Sequence, residues 1–115
     1  MDHGDETLMT ELRPLAYGYM RVPCEVEDHV VRDVERKLRD HAEERGFEFA
    51  AIFHEFEPGI SERWEELTTE LQRSDAHHVI VPSLSHVSLH PILRSIRLER
   101  LEEDAKAEVL ELSDR

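Results

Sequence analysis

The chain is short of several things, and each shortage excludes something. Cys24 is the one cysteine among 115 residues. A single thiol forms no internal disulfide, so the core must hold the fold and a reducing compartment is the expected setting. Four glycines are scattered and match neither GxGxxG nor the P-loop spacing, so nucleotide binding of the usual kinds, and any cofactor, is not expected. No apolar run approaches the roughly 20 residues of a membrane span. The opening MDHGDETLMTELRP has neither the basic start nor the apolar stretch of a secretion signal. A cytoplasmic protein without membrane contact is therefore expected. Lysine is nearly missing: of 14 basic residues only Lys37 and Lys106 are lysine, and no basic run occurs. Against them stand 27 acidic residues, for a net charge of -13. Such a surface repels nucleic-acid phosphates, so the domain alone is not expected to bind DNA directly.

What is present is enough for one core. The apolar share is 39 %, spread along the chain, and the length suits a single domain. Residues 1–14 read as a flexible acidic tail and 15–115 as one α/β domain. LAYGYMRV (15–22) is strand-like. Residues 25–46 read as a helix: Val26, Val30, Val34 and Leu38 recur every four residues, Val31 and Ala42 widen the stripe, and Glu25, Glu27 and Asp28 suit its first turn. FEFAAIFHEFE (47–57) is a second strand. Residues 61–75 form a second helix with Ser61 as N-cap and Trp64, Leu67 and Leu71 as its apolar stripe. HHVIVPS (77–83) is a third strand. Pro91 opens a third helix, where proline is tolerated in the first turn, and AEVLEL (107–112) is a last strand.

The order β-α-β-α-β-α-β predicts a small three-layer α/β sandwich with a mainly parallel four-stranded sheet. Sites in such sheets lie beyond the carboxyl ends of the strands. The loops to inspect are then 23–25, 55–61 and 82–90.

Those loops carry a resemblance. Gly18-Tyr19-Met20-Arg21-Val22 is similar to the G-Y-x-R-V-S pattern that opens the catalytic domain of the serine recombinases, the resolvase/invertase family. Pro23 stands where that pattern has serine. Glu55, Gly59, Arg63 and Leu67 follow the family's second pattern: an acidic residue, a short turn, an arginine and a leucine-bearing helix. Leu84-Ser85-His86-Val87-Ser88-Leu89 occupies the place of L-D-R-L-x-R. In that family a serine hydroxyl attacks a DNA phosphodiester, and arginines stabilise the phosphate oxygens.

The resemblance implies a resolvase-like fold around a vestigial site made of Arg21, Pro23, Glu55, Arg63, Ser85, His86 and Leu89. Pro23 has no hydroxyl, which removes the covalent step. Ser85 replaces an aspartate, and His86 and Leu89 replace arginines. The family's dimerisation helix and DNA-binding segment are not expected here. A degenerate, catalytically inactive domain is therefore expected, working as a regulatory or protein-interaction module that self-associates or meets another protein. Two rivals remain open. One is a residual phosphodiester transferase using a displaced nucleophile, Cys24 or a hydroxyl of Ser61, Ser83 or Ser85. The other is an anion or small-ligand receptor built on Arg21 and Arg63.

Each candidate also has a plainer structural reading. Arg21 pairs with a carboxylate such as Glu55, and Arg63 with Glu66. His54, His77, His78, His86 and His90 cluster near two strands. His77 and His78 face opposite ways as strand neighbours, and no HExxH spacing occurs, so no metal is expected. In the third helix Leu98 and Leu101 leave the face defined by Ile92 and Ile96, which makes an apolar edge available to a partner.

Overall fold

The computed structural model describes residues 13–56 and 62–112. The elements follow the predicted order: β1 (Leu15–Val22), α1 (Asp28–Glu44), β2 (Glu48–Phe56), α2 (Glu62–Ser74), β3 (His78–Val81), one 3-10 turn (Leu84–His86), α3 (Pro91–Ala105) and β4 (Glu108–Glu111). The strands form one sheet in the order β2-β1-β3-β4, and every neighbouring pair is parallel. Parallel neighbours need long crossovers, and each helix supplies one. The three-layer parallel sandwich expected from the sequence is present. Residues 1–12, most of the expected tail, lie outside the described residues, as does the proposed N-cap Ser61. Among the described residues no helix is long and apolar enough to cross a membrane.

Each face of the sheet carries its own core. Ala16, Met20, Val22 and Ile80 pack against Leu38 and Ala42 of α1. Tyr17, Tyr19, Val79 and Val81 pack against Trp64, Leu67 and Leu71 of α2 and Leu101 of α3. The alternation along β1 is the period of two that puts successive side chains on opposite faces. It also places Arg21 on the side of Tyr17 and Tyr19.

Two sequence expectations for α1 need correction. Val30 is 44 % exposed, although the spacing of four placed it on the core stripe. A step of four overshoots the helical turn of 3.6 residues, so such a row drifts around the cylinder. The face against the sheet is Val31, Val34, Leu38 and Ala42. The helix also starts later than expected. Glu27 is at the N-cap position without a side-chain cap, and Asp28 alone is acidic in the first turn. In β3 the strand ends at Val81, because Pro82 has no N–H for the ladder.

The core on the α1 face depends on Gly18. A Cβ there would lie 3.0 Å from Phe49 Cζ, 3.2 Å from Ile52 Cγ1 and 3.4 Å from Leu38 Cδ1. Phe49 and Ile52 come from β2 and Leu38 from α1, so the missing side chain is what lets three elements meet. Gly18→Ala is expected to lower stability by about 1–3 kcal/mol through overpacking. Urea unfolding with an unchanged denaturant slope checks this. A stability equal to or above the parent's would contradict the packing described.

Candidate functional site

In the order β2-β1-β3-β4 the chain leaves β1 in opposite directions to reach β2 and β3. The crevice between the carboxyl ends of β1 and β3 is therefore the switch point, the usual place for a ligand in an open parallel sheet. Two bonds close it. The backbone N–H of Arg21 donates to His86 Nδ1 at 3.0 Å, and Arg21 Nε donates to the His86 carbonyl oxygen at 3.0 Å. Because Nδ1 accepts, the proton of a neutral His86 is on Nε2. The arginine at the end of β1 is thus tied through its side chain and its amide to the turn after β3.

Beside it lies a buried carboxylate. Glu55, paired in register with Arg21, is only 3 % exposed. Its Oε1 accepts the Tyr19 hydroxyl at 2.9 Å. The backbone N–H of Arg63 lies 3.1 Å from the same oxygen and 3.4 Å from Oε2. Arg63 is the second residue of α2, whose first amides have no partner inside the helix. Glu55 caps that helix end from β2. Tyr19 also packs edge-on against Trp64 at 5.0 Å between ring centroids. Burial raises the Tyr19 phenol far above its ordinary value. The bond to Glu55 adds to the rise, and the charges of Arg21 and Arg97 work against it.

The expected site residues thus separate into two groups. Arg21, Glu55, the amide of Arg63 and His86 converge at the carboxyl end of the sheet. The side chains of the rest turn elsewhere. The Arg63 guanidinium donates to Glu66 Oε2 at 2.7 Å in an exposed pair one helical turn away, the partner expected for it. Ser85 Oγ lies 2.7 Å from Ser83 Oγ. Leu89 is 75 % exposed. Pro23 and Cys24 are exposed and line a cleft with α1 residues, beside Val31 and His54. Gly59 lies outside the described residues.

Three participants escaped the sequence reading. Tyr19 shares the face of Arg21 by its spacing of two, a signal that was there to be used. Arg94 and Arg97 of α3 carried none: Nε of Arg94 donates to the Ser88 carbonyl at 3.1 Å, and Nη1 of Arg97 to the Val87 carbonyl at 2.6 Å. They brace the loop after β3 on buried Val87 and Ser88.

The architecture has a counterpart among solved structures. The crystal structure of the C-terminal catalytic domain of ISC1926 TnpA, an IS607-like serine recombinase, matches with a TM-score of 0.65 at 15 % identity, covering 88 % of this chain and 71 % of that one. The chain has the fold of a serine recombinase catalytic domain. At this identity the likeness is one of fold alone. No protein-family model and no curated protein matches the sequence.

The histidines are spread over several partners. His54 bonds to Glu35, His77 meets the Lys106 carbonyl and Asp75, and His78 packs on Phe47. Among the described residues no three His, Cys, Asp or Glu side chains are grouped to hold a metal ion.

Tyr19→Phe removes one donor from Glu55 and is expected to cost about 1–3 kcal/mol at neutral pH. The native state holds the Tyr19 proton more tightly than the unfolded chain, whose phenol has the ordinary value of 10.0. The contribution is whole below that value and is lost as pH rises above it. Stability of the parent should fall more steeply above about pH 10 than that of Tyr19→Phe. Parallel alkaline slopes in urea unfolding would contradict the buried phenol.

Proposed function

We propose that this domain works by binding and self-association, and that it carries no recombinase chemistry. The single observation behind the reading is the outer face of α3. Leu89 just before it, then Ile92, Leu93 and Ile96, are 75 %, 67 %, 39 % and 47 % exposed. Within the helix Ile96 stands four residues after Ile92 and three after Leu93, the spacing of one helical face. Leu98 packs against the core and Leu101 is buried in it, so the helix has two apolar faces, one of which has no cover among the described residues. An apolar patch of this kind on a chain with a net charge of -13 is a docking feature.

The carboxyl end of the sheet supports the negative half of the proposal. Where the recombinase pattern has its serine, the chain presents Pro23. The Arg63 guanidinium is held by Glu66, and His86 and Leu89 take the places of the pattern's arginines. A DNA phosphate would meet one pattern arginine, Arg21, whose Nε is already bonded.

Sedimentation and light scattering test the binding half. The parent protein should self-associate. Ile92→Glu with Ile96→Glu should raise the dissociation constant at least about a hundredfold, because two apolar anchors and their desolvated pockets are lost. A parent that remains monomeric at high concentration would end the self-association reading. In a parallel assay, incubation with a nicked suicide DNA substrate should give no covalent protein–DNA adduct. A stable adduct would overturn the non-catalytic reading.

A further inference from the structure

The amino end of the sheet, opposite the strand ends described above, holds a histidine with a stranded ring nitrogen. His78 opens β3 and is paired in register with Glu108, the first residue of β4. Pairing of β3 with β1 begins one residue later, at Val79, so His78 has a strand partner on one side only. Its ring packs on Phe47 of the α1-side core, at 4.5 Å between centroids. Nδ1 is buried and has no hydrogen-bond partner among the described residues. Nε2 lies 3.6 Å from Glu108 Oε2. This setting suits a neutral ring. Protonation would put an N–H on Nδ1 where no acceptor waits, and would add a charge to an unpaired buried donor. Burial accordingly pushes the His78 imidazole below its ordinary value of 6.5, the Glu108 carboxylate works against that, and the neighbouring His77 adds to it.

We propose that His78 is an acid-sensitive latch on the β4 edge: neutral, it holds Phe47 and the start of β4 together, and protonated, it leaves that packing and opens the amino end of the β3–β4 ladder. The way out exists. A cleft of about 330 Å³ lies beside the ring, lined by His77, His78, Glu102, Lys106 and Glu108. The carboxylates of Glu102, near the end of α3, and of Glu108, on β4, attract a charged ring into it, and Lys106 and His77 oppose them. His77 is itself engaged, with Nδ1 3.0 Å from the Lys106 carbonyl oxygen and Nε2 3.2 Å from Asp75. From α1, which packs on β3, the titratable group of the last turn is His41, whose Nε2 is also buried without a partner among the described residues. The element that yields is β4, because it has four residues, forms the sheet edge and pairs with β3 alone. The unfolded chain takes up the proton at 6.5 while the native state resists it. The contribution of neutral His78 is therefore whole above that value and is lost as pH falls below it. The latch is independent of the α3 interface.

NMR and urea unfolding of the full chain test it. The His78 ring should titrate below 6.5. Between about pH 7.5 and about pH 5.5 the unfolding constant of the parent should rise at least about threefold more than that of His78→Phe, which keeps an aromatic ring on Phe47 and takes no proton. At the lower pH the Glu108 amide, which donates to the His77 carbonyl at 3.0 Å, should exchange through a local opening. It should be less protected than the amides of β1 and regain protection in His78→Phe. A His78 ring that titrates at or above 6.5, or an equal pH response of parent and variant, would overturn the latch. Equal protection of Glu108 and β1 would show that the domain opens only as a whole, and the release of β4 would be wrong.

Discussion

One buried carboxylate organises the carboxyl end of this sheet. Glu55 accepts from the Tyr19 hydroxyl on the neighbouring strand and from the first-turn amide of Arg63. A carboxyl group at this depth is costly to desolvate, and donors already in place offset that cost. The donors come from β1 and from the start of α2, so the carboxylate fixes where the second helix begins relative to the central strand. Arg21 and His86 do the same work across the other crevice, linking β1 to the turn after β3. The strand ends that usually expose a ligand site are here bound to one another.

This arrangement gives the recombinase fold a physical reading of its own. The fold is shared with the catalytic domain of an IS607-like serine recombinase at 15 % identity, and such a fold needs neither a particular nucleophile nor a particular phosphate clamp to be stable. It needs a packed sheet, covered faces and partners for the polar groups at the strand ends. Gly18 supplies the first by letting Phe49, Ile52 and Leu38 converge. The two cores supply the second, and Glu55 and His86 supply the third. Among the described residues the outer face of α3 stays exposed, and the binding proposal rests on it.

The architecture was legible in the sequence because its signals are local. The alternation of LAYGYMRV, the Trp64/Leu67/Leu71 stripe and Pro91 at a helix start each name an element, and the order of elements names the sheet. Val30 was misplaced because a repeat of four only approximates the helical turn. Convergence of Arg21, Glu55 and His86 followed from the rule that parallel strands end together. The bonds themselves were not legible. Arg63 carries a guanidinium, yet reaches Glu55 with its backbone amide, a group every residue but proline has. Arg94 and Arg97 brace a loop through its carbonyls, which no side-chain pattern announces. His54 and Glu35 are 19 residues apart, and only the packing of α1 on β2 makes them neighbours.

The central claim is that Glu55 serves the fold as the shared acceptor between strands and helix. A double-mutant cycle of Tyr19→Phe and Glu55→Met, read by urea unfolding at neutral pH, tests it most directly. Neighbours within one hydrogen-bond network should couple by about 0.5–3 kcal/mol, with the double variant more stable than the sum of the single losses. Losses that add within about 0.3 kcal/mol would mean that the two groups do not depend on each other, and the account of the strand ends would fail.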